Sequence, residues 1–186
     1  MVQHMNPITR IPTPIRWILL GLSFPIGGLI VFIALGPVTS LGLALAGGFI
    51  VGIVIGAAEA FALRVPMIRW IVATAIGLGV GSLLAALVAS LLGAGIVTTV
   101  LTAIAAGIVV SAAQLVATPP LPRLIWLAVH TAGWVIAWLV SLVIAISTTQ
   151  GFIVFGASGA LVFTVGLFLI VHFAGRRSRA SAAVTA

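Results

Sequence analysis

Six long apolar runs make up most of this chain, and the polar positions fall between them. The runs cover Trp17–Leu35, Leu41–Leu63, Trp70–Leu92, Ile96–Ala117, Leu124–Ile146 and Gly151–Ala174. A helix needs ~20 apolar residues to cross a bilayer's hydrocarbon core, and each run meets that need. Within the runs small residues recur every fourth position. One series is Ala44, Gly48, Gly52, Gly56 and Ala60; another is Ala73, Gly77, Gly81, Ala85 and Ala89. Such a series forms a groove along one helix face and lets a second backbone approach closely. The pattern predicts an all-α, polytopic transmembrane bundle of six helices. Residues 17–175 form the membrane domain, and a cytoplasmic tail, 1–16, precedes it. That tail reads as extended because of Pro7, Pro12 and Pro14, and it ends on an interface anchor pair, Arg16 and Trp17. A basic then polar cytoplasmic tail, 176–186, follows. The first run resembles a signal peptide in its basic flank, but its length and the five runs after it favour a retained helix.

Composition narrows the solvent. The chain is 63% hydrophobic and 5% charged, whereas a soluble domain carries roughly 25% charged residues. It therefore lacks the polar surface that water requires, and the lipid bilayer is its expected partner. The net charge of +7 does not predict nucleic-acid binding, because the basic residues form no continuous face. All eight basic residues are arginines, and their order orients the bundle. Arg10 and Arg16 precede the first run, Arg64 and Arg69 follow the second, Arg123 follows the fourth, and Arg176, Arg177 and Arg179 follow the sixth. With six crossings these positions share one side, and the opposite loops carry none. The positive-inside rule makes that side cytoplasmic, with both termini there, in a bacterial inner membrane. No cysteine is present, so disulfide and thiolate chemistry are excluded.

Two hairpins in the middle of the chain read as a tandem repeat, helices 2–3 and 4–5. Aligned on Trp70 and Trp126, WIVATAIGLGVG faces WLAVHTAGWVIA, so Thr74 meets His130 and Gly77 meets Gly133. Upstream, GAAEAFALR faces SAAQLVATP, and Glu59 meets Gln114. A fainter echo joins GFIVGIVIG at Gly48 to GFIVFGASG at Gly151. The stretch Gly52–Gly81, with a helix ending in G-x-x-x-G-x-x-[QE]-x-x-x-L-R and a following W-x-x-x-T-x-x-G, resembles a loose group of uncharacterised bacterial multi-helix membrane proteins. Glu59 stands where that group has glutamine. In the second hairpin Thr118-Pro119 replaces the Leu-Arg ending. The resemblance implies a tandem-hairpin architecture and brings no activity.

Glu59 is the only acidic residue in the chain, and an ionisable side chain inside a membrane helix is a functional candidate. Five residues before Arg64, it lies ~7–8 Å inside the cytoplasmic boundary. There it can bond to a neighbouring helix, pair with Arg64, Arg69 or Arg123, meet interfacial water, or exchange a proton. His130 lies ~10 Å in from the same side. Glu59, Gln114, Thr74, His130 and Thr131 are thus predicted to share one polar layer, and Gly48, Gly52, Gly56, Gly77, Gly81 and Gly133 to pack helices. No catalytic, cofactor or metal site is predicted. A lone carboxylate makes no acid–base pair, two ligands fall short of a zinc site, and His172 is too shallow to join His130 on a haem. Trp134 and Trp138, one turn apart in mid-helix, suit lipid, a neighbouring subunit, a pigment or a quinone alike. The expected role is a non-enzymatic packing or accessory subunit, with other membrane subunits or further copies of this chain as partners. The alternative is a small transporter or channel whose polar site surrounds Glu59 and His130.

Overall fold

The computed structural model describes residues 12–143 and 157–184. These residues form six helices: α1 (Thr13–Leu35), α2 (Leu41–Leu63), α3 (Met67–Leu92), α4 (Ile96–Gln114), α5 (Arg123–Val143) and α6 (Ala157–Val184). A single 3-10 turn, Leu115–Ala117, extends α4. Five helices, α1 to α5, are long and apolar enough to cross a membrane once that turn is counted with α4, and α6 carries a shorter apolar stretch, Ser158–Ala174. The chain is an all-helical protein of membrane type.

Several boundaries differ from the sequence expectation, each for a local reason. α1 starts at Thr13 rather than Trp17, with proline in its first turn; there the missing N–H costs nothing and the fixed φ suits a helix. Pro25 lies inside α1 without ending it. At the other end α6 runs on through Arg176, Arg177 and Arg179 to Val184, because alanine and arginine favour helix. The expected end of the fifth run at Ile146, the Ser147–Gln150 loop, the start of the sixth at Gly151 and the echo there lie outside the described residues. So do residues 1–11, with Arg10. Arg16 and Trp17 are not a surface pair. Both are buried, with Arg16 over the Phe61 ring at 5.2 Å and Trp17 edge-on to Phe168 at 5.3 Å.

Turn chemistry ends the helices sharply. Gly36 and Gly93 close α1 and α3 at φ 71° and 74°, a region glycine enters without strain. Arg64 closes α2 in the left-handed conformation, and its N–H bonds the Ala60 carbonyl. Pro66 and Pro122 then open α3 and α5, each accepting from the tryptophan four residues on, Trp70 at 3.0 Å and Trp126 at 2.9 Å.

Each helix packs on its neighbours in sequence, and α6 packs back on α1. The glycine faces set the closest approaches. A Cβ on Gly52 would lie 2.5 Å from the Ala75 Cα of α3, and one on Gly56 3.0 Å from the Ile71 Cα. Gly48 presses on Leu78 and Ser82 of the same helix. α3 turns its own glycines toward α4, where a Cβ on Gly77 would lie 2.8 Å from the Val110 Cα and one on Gly81 3.1 Å from the Ala106 Cα. Gly133 of α5 meets the Phe163 ring of α6. Near-contact between backbones is how helices gain dispersion energy where lipid offers no hydrophobic drive.

These distances separate glycines that only a hydrogen atom fits from those with space. Gly52→Leu and Gly77→Leu should each lower the thermal midpoint in mild detergent, with overpacking costing ~1–3 kcal/mol. Gly166→Ala, where an added Cβ meets nothing within 4 Å, should melt like the parent or slightly higher. Parent-like melting of both leucine variants would contradict the close packing.

Candidate functional site

Glu59 is 1% exposed, and its carboxylate is met from three other helices. Oε2 accepts from the Trp70 indole N–H at 3.0 Å and from the Gln114 amide at 2.7 Å. Oε1 faces His130 Nε2 at 3.4 Å. None of these partners is an arginine of the helix ends. Burial and these three partners from α3, α4 and α5 keep Glu59 away from the helix-end arginines.

Gln114 is fully used as well. Its amide nitrogen gives its second hydrogen to Thr74 Oγ1 at 3.0 Å, and its oxygen accepts from the Trp126 indole at 3.1 Å. Four of the five residues predicted for the layer, Glu59, Gln114, Thr74 and His130, therefore meet directly. Thr131 sits one step out, its hydroxyl 3.4 Å from Ser111 Oγ.

Sequence reasoning did not assign three members, Trp70, Trp126 and Ser111. The signal for the indoles was available: a tryptophan buried to 0% exposure, as both are, needs a partner for its N–H, and each follows a glutamate or glutamine by eleven or twelve residues. The two indoles also touch edge-to-face at 5.4 Å.

The contacts fall into matching pairs. In each hairpin the tryptophan of the second helix bonds the carboxylate or amide of the first. Across the hairpins Gln114 bonds Thr74, and Glu59 faces His130. Gly52 lies against Ala75 as Gly107 lies against Thr131, the positions next to Thr74 and His130.

Ser111 joins the cluster through His130. Ser111 Oγ gives its hydrogen to the Gly107 carbonyl at 2.5 Å, the usual bond of a helical serine to its own backbone. The same oxygen lies 3.0 Å from His130 Nδ1, which ties α4 to α5. Between His130 Nε2 and Glu59 Oε1 a single hydrogen completes the bond, held on either atom. The His130 ring stacks on Trp126 at 5.0 Å and meets the Phe163 edge at 5.2 Å, so it cannot swing away.

Serine, histidine and glutamate in this order are the parts of a hydrolase triad. Ser111 and Gln114 are nevertheless 0% exposed and His130 1%, and the serine proton is already committed. His172, the other described histidine, lies on the exposed side of α6 and stacks on Phe168 at 5.5 Å. Among the described residues no group of three metal-binding side chains occurs.

At the end of the bundle away from Arg64, Arg69 and Arg123, helices α2 to α5 part around a cavity of about 520 Å³. Trp134, 2% exposed, lies at its inner end, with its ring 6.5 Å from that of His130. The seam between the hairpins is thus bonded at one end and open at the other.

The bonding predicts an asymmetric response to two mirror substitutions. In Glu59→Gln an amide oxygen can accept from Trp70 and Gln114 while its nitrogen donates to His130 Nε2. Its melting in detergent should stay within ~1 kcal/mol of the parent, since such bonds between membrane helices average about 0.6 kcal/mol. Gln114→Glu puts a second carboxylate at hydrogen-bond distance from the first and removes two donors. It should cost about 3 kcal/mol or more, as breaking a buried polar pair does, with a shift in tryptophan emission. Equal melting of the two variants would contradict the assigned bonds.

Comparison of this chain with known protein families, with curated proteins and with solved structures found no match to any of them.

Proposed function

We propose that this chain is a non-enzymatic, multi-pass protein of a bacterial inner membrane, acting as a packing or accessory subunit of a membrane assembly. The observation that carries this reading is the completeness of the Glu59 cluster. Every hydrogen of the two indoles and of the Gln114 amide that meets the seam has an acceptor, and among the described residues Ser111, His130 and Glu59 line none of the four main cavities. A saturated, buried network rigidifies a core; a transport or catalytic site keeps a group free for its ligand.

The finer architecture belongs to the same proposal. Six crossings place all eight arginines on the cytoplasmic side, and helices 2–3 and 4–5 are two copies of one hairpin facing each other across the bonded seam. The paired contacts support the repeat, as does the proline four residues before each anchoring tryptophan. The resemblance to bacterial proteins with tandem hairpins of this motif is consistent with it. Partners, whether other membrane subunits or further copies of this chain, would meet the apolar helix faces within the bilayer.

One observation favours a second reading, a small transporter. The cavity reaches inward as far as Trp134, whose ring packs beside that of His130, the partner of Glu59. Liposomes with an internal pH-sensitive dye distinguish the two. Parent and Glu59→Gln should both leave an imposed proton gradient unchanged, with candidate ions present or absent. Proton flux in the parent that disappears in Glu59→Gln would replace the packing reading with the transporter.

A further inference from the structure

The cavity between the hairpins has a chemistry of its own, separate from the bonded cluster. From Ser90 at its mouth to Ser82 at its floor α3 advances eight residues, a depth of ~12 Å. One wall carries only small side chains, Ala85, Ala86 and Ala89 of α3; Trp134 and Trp138 of α5 also line the space. Among the described residues no charged side chain lines it, so a bound ion would lose its hydration without compensation. Its volume of about 520 Å³ falls within the range of pockets that take small molecules, which are mostly apolar with a few placed polar groups.

Ser82 supplies such a polar group. Ser23, Ser90, Ser111 and Ser141 each give their hydroxyl hydrogen to a carbonyl three or four residues back in their own helix. Ser82 is 8% exposed, lines the floor of the cavity, and makes no hydrogen bond within the described residues. A helical serine that leaves its own backbone unbonded in a nearly buried position keeps a donor for something that enters.

The geometry points to a binding site for an uncharged planar ring compound carrying carbonyl acceptors, of the benzoquinone class. The alanine wall and the indoles offer apolar contact to a ring, and Ser82 Oγ donates to a carbonyl at the inner edge. A charged metabolite is excluded by the lining. A plain acyl chain would leave the Ser82 hydroxyl without a partner. This inference is independent of the accessory role, since Glu59 takes no part in it.

The test uses the full chain in lipid nanodiscs, titrated with tailless 2,3-dimethoxy-5-methyl-1,4-benzoquinone while tryptophan emission is recorded. Saturable quenching is expected for the parent. Ser82→Ala, which removes no bond from the empty protein, should melt like the parent yet bind about three- to tenfold more weakly, the effect of one lost hydrogen bond. Ala86→Phe should abolish the saturable phase by filling the space. If Ala86→Phe does not fold, Ala89→Phe, one turn nearer the mouth, serves the same purpose. Quenching that rises linearly, or that saturates identically in parent, Ser82→Ala and the phenylalanine variant, places the quinone in lipid or on the outer surface and overturns the proposal.

Discussion

A carboxylate deep in an apolar bundle must find every hydrogen-bond partner inside the protein, and that requirement shapes the centre of this fold. Water cannot complete a poor arrangement there. Glu59 therefore draws an indole from α3, an amide from α4 and an imidazole from α5 to one point. The turns serve the same end. Pro66 and Pro122 start α3 and α5 four residues before the two tryptophans, which fixes the height at which each indole enters the seam. Glycines on α2 and α3 then bring the backbones near enough for short side chains such as Thr74 to reach across.

The difference between the two halves of the cluster is as informative as their likeness. Two glutamines could bond each other, but one donor hydrogen would need another taker. Two glutamates would offer acceptors to each other and require a proton. A carboxylate opposite an amide balances donors and acceptors, and histidine in place of threonine receives the remaining oxygen. The acid and the imidazole thus belong together: replacing either one alters what the other needs.

Much of this was legible in the sequence, because membrane helices announce themselves by length and hydropathy. Five of the six runs are helices of spanning length, and of the five residues assigned to one polar layer, Glu59, Gln114, Thr74 and His130 meet while Thr131 reaches only Ser111. The layer could be read because each of these lies a short, countable distance from an arginine or a proline that marks a helix end. What escaped was direction around the helix axis. The sequence permits Glu59 to pair with Arg64, Arg69 or Arg123, and nothing along the chain says that it turns instead toward Trp70. Ser111 looked like any helical serine, since its role depends on His130, nineteen residues away on another helix. The cavity was illegible for the same reason. Ala85 and Ala89 read as more of the small-residue groove, and only the parting of the helices turns them, with Ala86, into a wall.

The closure of α6 onto α1 bears on how the protein is made. Ribosomal synthesis delivers the helices in order, and each of α2 to α5 finds its predecessor already in place. The seam between α6 and α1 is the exception, since its two sides are separated by all the chain between them. Trp17 and Phe24 on α1 must wait for Phe168 and Phe163 on α6. During that interval an aromatic face of α1 stays open to lipid or to whatever insertion factor holds the nascent bundle. Assembly of this ring therefore ends where it began, on the first helix.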